Sequence, residues 1–158
     1  MKHFQKIGLK TYKLLSILFC ALGDIVVLCY LWQRFSDFER IKPLVLLNLK
    51  LYDLSEKDLP QSFFKEIHQV MMNTLVVTCI LIVLFHIVIY IFFYREKKSA
   101  WLYVKILSLL GAMGSPLLGL PHIQQPTSLG FFILLLSFLY LWVFLGFLSL
   151  GEKRGTTN

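Results

Sequence analysis

Four apolar blocks, each about as long as a bilayer is thick, leave this chain few ways to fold. They run from about Leu14 to Trp32, Val70 to Tyr94, Ala100 to Leu120 and Leu129 to Leu150. A helix crosses the hydrocarbon core with about 20 apolar residues. In lipid, only helices and closed barrels pair all of their own backbone groups. The sequence therefore predicts an all-α integral membrane protein, a bundle of four transmembrane helices. Spans of that length take up about half of the chain. The remainder is too short for a soluble core of its own, so residues 1–158 read as one polytopic membrane domain. Composition agrees: 57% of the residues are hydrophobic, against about 45–50% in soluble domains.

The first block follows a basic start, which raises the question of a cleaved signal peptide. Its apolar run is too long for that, and no A-x-A site follows. Phe19 before Cys20 is too bulky for a lipoprotein cleavage box. The block is expected to stay as a membrane helix.

A net charge of +7 would suggest nucleic acid in a soluble protein. Here the excess flanks the apolar blocks, at Lys2, Lys6, Lys10 and Lys13, at Arg95, Lys97 and Lys98, and at Lys153 and Arg154. That placement belongs to topogenic charge and headgroup contact, and no nucleic-acid partner is expected. The short segment 95–98 is basic and 121–128 carries no Lys or Arg. The rule that basic loops stay inside then puts both termini in the cytoplasm, and the plasma (inner) membrane is the expected location.

Residues 33–69 fall outside under this arrangement, with six basic and six acidic side chains that balance. Apolar residues from Phe35 to Ile41 predict that the first helix continues until Pro43 stops it. Leu47 to Tyr52 alternates as a strand does, while Leu44, Leu47, Leu51 and Leu54 also share a helical face, so strand and interfacial helix both stand. Asp58, Pro60 and Gln61 resemble a helix start, placing the second helix from near Leu59.

Inside the blocks, Asp24 is the most informative residue. It lies about ten residues, or about 15 Å, into the first helix. An acid at that depth faces protein or water and marks either function or a polar helix contact. Lys13, Ser16, Cys20 and Gly23 share its face. His86 lies about 12 Å from the end of the second helix, and Lys105 and Tyr140 fall in the same half of the third and fourth. Asp24, His86, Lys105 and Tyr140 thus form a candidate proton relay or binding site, provided that their azimuths match. The alternatives are a helix-holding Asp24, a hydrogen-bonded His86 and a snorkelling Lys105.

In the third helix, Gly111, Ser115 and Gly119 make a stripe for close helix packing. Pro116 should kink that helix, and a broken helix at a substrate site is the alternative reading. Tyr30 and Trp32 read as an outer aromatic belt, and Tyr90, Tyr94, Trp101 and Tyr103 as an inner one. Cys20, Cys29 and Cys79 show no metal or redox spacing. With no phosphate loop and no hydrolase or protease motif, an enzyme is disfavoured and no metal or cofactor is expected. Three functions follow from these residues. The first is a non-enzymatic subunit or accessory of a membrane complex, partnered by lipid and by other subunits or its own copies. The second is a small proton- or ion-coupled transporter using Asp24 and His86. The third and weakest is a lipid-modifying membrane enzyme.

Overall fold

A computed structural model describes residues 7–51, 59–60, 62–119 and 128–151. They form five helices and, among the described residues, no strand: α1 (Leu9–Ser36), α2 (Phe38–Leu51), α3 (Phe63–Tyr94), α4 (Lys98–Gly119) and α5 (Ser128–Gly151). By length and composition, α1, α3, α4 and the segment Gly130–Leu150 of α5 could each cross a membrane. At 1.5 Å per residue the 32 residues of α3 span about 48 Å, more than the hydrocarbon core of about 30 Å.

The fifth helix, α2, corrects two expectations, and the start of α3 a third. The first helix does not run on to Pro43 but ends at Ser36, and a new one starts at Phe38. Asp37 makes the break: its carbonyl accepts the Arg40 N–H at 3.3 Å, and its Oδ2 pairs with Arg40 Nε at 2.9 Å. An acid at that point also suits the positive end of the new helix dipole. Pro43 then sits inside α2, which loses one backbone bond and continues. The strand alternative for Leu47 to Tyr52 fails, since the backbone is helical through Leu51; Tyr52 and Leu54 lie outside the described residues. Likewise α3 begins at Phe63, not near Leu59. The Pro60 carbonyl accepts the Phe63 N–H and that of Ser62 the Glu66 N–H, both at 3.0 Å. The proposed caps Asp58 and Gln61, the segment 121–127 and the tail lie outside the described residues.

The chain divides into two compact units. The first comprises Met1–Val27 and Phe85–Asn158, and each helix in it turns one stripe inward. On α1 the stripe is Tyr12, Lys13, Ser16, Cys20 and Gly23; on α3 it is His86, Tyr90 and Phe93. On α4 it is Ala100, Val104, Ser108, Ser115 and Gly119; on α5 it is Ile133, Leu136, Tyr140, Val143 and Phe147. These three- and four-residue steps keep one face of each helix inside. The outward positions are apolar, among them Leu102, Ile106, Leu117, Phe131 and Phe138. Polar groups inside and hydrocarbon outside suit a lipid solvent.

The closest helix pair is α4 with α5. Gly119 admits Ile133 and Leu134, and Gly111 admits the ring of Tyr140. Ser115 is buried on the same stripe. The helix is continuous through Pro116, so the broken-helix reading does not hold. Proline leaves the carbonyl four residues earlier, that of Ala112, without its helical donor. Ser137 Oγ on α5 donates to it at 2.9 Å. The freed acceptor is thus paired by a neighbouring helix and does not go unmatched.

Between α3 and α4 the chain reverses in a Schellman turn. The Lys97 N–H donates to the Phe92 carbonyl and the Glu96 N–H to that of Phe93, both at 3.0 Å. This turn wants a left-handed residue, usually glycine, and Glu96 takes that role with φ 63°.

The second unit, Leu28–Leu84, holds the end of α1, α2 and the first part of α3. Phe38 packs its ring 6.0 Å from that of Phe64 and 5.2 Å from His68. His68 Nε2 stands 3.1 Å from the Phe35 carbonyl. Two open apolar grooves flank the α1–α3 pair there. One, of ≈ 320 Å³, is lined by Phe35, Val70, Met71, Thr74, Leu75 and Thr78. The other, of ≈ 370 Å³, is lined by Leu28, Cys29, Trp32, Val76, Cys79 and Ile80.

Candidate functional site

The inward stripes of the first unit converge on Asp24. Its carboxylate Oδ2 accepts the Tyr90 hydroxyl at 2.6 Å and stands 2.9 Å from His86 Nδ1. The two side chains are only 16% and 11% exposed. On the far side of the imidazole, Nε2 lies 2.7 Å from the Tyr103 hydroxyl. The order is Tyr90–Asp24–His86–Tyr103, contributed by α1, α3 and α4. His86 and Tyr90 are one helical turn apart on α3, which brings both to one α1 residue.

The contact between acid and imidazole is close but not linear. His86 Nδ1 makes no hydrogen bond despite the short distance, because the carboxylate oxygen lies off the ring N–H direction. A protonated imidazole is held there by charge. With the proton on Nδ1, Nε2 accepts the Tyr103 O–H; with both nitrogens protonated, Nε2 donates to the Tyr103 oxygen. The chain of groups can therefore hold its proton in more than one place without a backbone movement.

Tyr140 approaches from α5. Its hydroxyl lies against Gly23 and its ring against Gly111, so that two missing side chains make its berth. It lies against Gly23, the residue that precedes the acid, yet no hydrogen bond joins it to Asp24 or His86. Lys105 is not drawn in. It is half-buried, its backbone carbonyl accepts Ser108 Oγ at 2.9 Å, and its ammonium pairs with none of the other three residues. Of the candidate set, the fold joins Asp24 to His86, packs Tyr140 beside them and leaves Lys105 apart.

Tyr90 and Tyr103 are the residues that sequence reasoning assigned elsewhere. A tyrosine near a helix end normally marks the interface; here both hydroxyls point to the buried pair. The i, i+4 spacing of His86 and Tyr90 was the available signal. Trp101 also leaves the belt. It stacks on Phe93 at 5.0 Å and meets Phe147 edge-on at 4.9 Å, while Tyr12 packs on Phe147 at 5.8 Å. These rings close the end of the unit where α3 meets α4. The Tyr12 hydroxyl donates to the Val143 carbonyl at 2.6 Å.

Beside this aromatic layer, Lys13 reaches from α1 to the α3–α4 turn. Its Nζ is 2.9 Å from Glu96 Oε1 and donates to the Tyr94 carbonyl at 2.9 Å. It also lies 5.0 Å over the Tyr94 ring. The cation thus meets the negative end of α3 and fixes the residue with positive φ. Cys20 is fully buried, whereas Cys29 is exposed and Cys79 half-buried; all three are free thiols. No family model matches the chain, and no curated protein or solved structure matches it either.

Proposed function

We propose that this chain is a four-span membrane protein with both ends cytoplasmic that takes up and releases a proton at Asp24–His86, coupling it to the passage of an ion or small solute. The observation that carries this reading is the 2.9 Å approach of the carboxylate to the imidazole, with a tyrosine hydroxyl on each outer side. Helix association alone needs a hydrogen bond, which asparagine, serine or threonine supplies without a charge. Ionisable groups in lipid cost energy and mark ion or proton paths. An acid and a base in contact can also pass a proton between them, and one proton entering the pair changes the charge of the whole site.

The test is proton movement in sealed vesicles. The full chain is reconstituted with an internal pH dye, and an imposed gradient is followed. Wild type should dissipate it faster than empty vesicles. Asp24→Asn should elute and melt as wild type does yet lose the excess flux, because asparagine cannot titrate. Full flux in Asp24→Asn, or none in wild type, would sink the proposal.

A second reading has its own support, that of a subunit in a larger membrane complex. Leu44, Leu47 and Leu51 of α2 are 59–74% exposed, and the second unit leaves two apolar grooves unfilled by its own side chains. Absent flux together with a stoichiometric protein co-purifying in mild detergent would favour it.

A further inference from the structure

Above the acid, α1 carries a second set of buried polar groups that the Asp24–His86 contact does not use. Lys13, Ser16, Cys20 and Asp24 follow one another in steps of three and four and so lie on one stripe. The first three are 5%, 0% and 0% exposed. Ser16 Oγ is fully buried and makes no well-formed hydrogen bond among the described residues; its polar neighbour is the hydroxyl of Tyr12, which donates its own proton to the Val143 carbonyl. A hydroxyl in that condition costs about 1–3 kcal/mol unless something pairs with it, and buried water is the usual partner. Spacing favours water here. Residues four apart rise about 6 Å along a helix, and one water with hydrogen bonds of about 2.8 Å on each side bridges about that gap.

The stripe has a way out. Tyr12, Phe93, Trp101 and Phe147 close the end of the unit with packed rings, which is a barrier to charge. Lys13 passes beside that layer and ends on Glu96, whose side chain is 44% exposed. The polar line therefore reaches from an exposed carboxylate to the buried one.

We propose that Lys13, Ser16 and Cys20 line the route by which protons reach Asp24 from the α3–α4 turn. This rests on the proton-handling reading above. A proton arriving at Glu96 passes along waters held by Ser16 Oγ and Cys20 Sγ to the Asp24 carboxylate, which becomes neutral; the reverse transfer returns it. Only O–H bonds are exchanged and no redox step is involved. His86 and Tyr90 on α3 contact Asp24, and Cys20 on α1, Tyr103 on α4 and Tyr140 on α5 stand near enough to feel its charge. The groups that face Lys13 are Tyr94 and Glu96.

The experiment follows the carboxyl stretch of Asp24 by infrared spectroscopy after a rapid fall in pH, with the full chain in lipid nanodiscs. The band is identified as the one that Asp24→Asn removes. Ser16→Ala with Cys20→Ala should slow its growth by about tenfold or more, the scale of losing a positioned proton carrier. Cys20→Ser, which keeps a polar group, should remain near the wild-type rate. If the double variant does not fold, Ser16→Ala alone carries the same expectation. A band that grows equally fast in all variants overturns the route and leaves the proton reading standing. A wild-type band that never grows overturns both.

Discussion

Tyr140 holds its place because two residues have no side chain. A Cβ on Gly111 would lie 2.5 Å from the Tyr140 ring, closer than any real contact, and one on Gly23 would meet its hydroxyl. Gly111→Ala and Gly23→Ala should each destabilise the protein by about 1–3 kcal/mol, the usual cost of overpacking. Gly114→Ala, where the space is open, should be neutral or slightly stabilising; equal losses at all three sites in thermal melts would contradict this. A second prediction concerns the carbonyl freed by Pro116. Ser137→Ala should cost about 0.6 kcal/mol, typical of a hydrogen bond between membrane helices. In a Pro116→Ala background that cost should vanish, since the Ala112 carbonyl regains a helical donor. A double-mutant cycle without coupling would dismiss the link. Depth made Asp24 and His86 legible from the sequence, because ionisable groups in an apolar block are conspicuous. Tyr90 and Tyr103 were hidden because a tyrosine near a helix end has an ordinary reason to be there.

At the scale of elements, local pattern was decisive where the solvent imposes it and ambiguous where it does not. The long apolar blocks became α1, α3, α4 and α5, helices long and apolar enough to cross a membrane, where the backbone has no other way to pair its groups. In the segment that became α2, Leu47, Leu49 and Leu51 alternate while Leu44, Leu47 and Leu51 are helically spaced. A short apolar run cannot arbitrate between those periods. Asp37 settled the boundary through Arg40, a contact of two exposed side chains that spacing alone does not single out. The α3–α4 turn makes the next prediction. Glu96 sits at positive φ, which costs a residue with a side chain about 1–2 kcal/mol, and it also holds Lys13. Glu96→Ala keeps the strain and loses the ion pair, so it should melt lowest. Glu96→Gly loses the pair but relieves the strain, and should fall between alanine and wild type. Equal melting of the two variants in thermal denaturation would mean that the pair, not the backbone, governs the turn.

For the whole molecule, the apolar blocks are legible in the sequence and their azimuths are not. Helices at matched depth can face one another or lie back to back, and only packing decides. The proposed topology has a direct check in a background free of native cysteines. Thiols introduced by Ser55→Cys or Ser128→Cys should react with an impermeant reagent added outside intact cells, and one introduced by Ser99→Cys should not; labelling at position 99 would invert the arrangement. The functional reading stands on the contact of Asp24 with His86 between α1 and α3. That contact is tested by a short bifunctional thiol reagent on purified protein carrying Asp24→Cys together with His86→Cys. Rapid crosslinking within one molecule is expected, and little when Asp24→Cys is combined instead with Ile87→Cys, a residue 49% exposed. Equal crosslinking of both pairs, or crosslinks only between molecules, would contradict it.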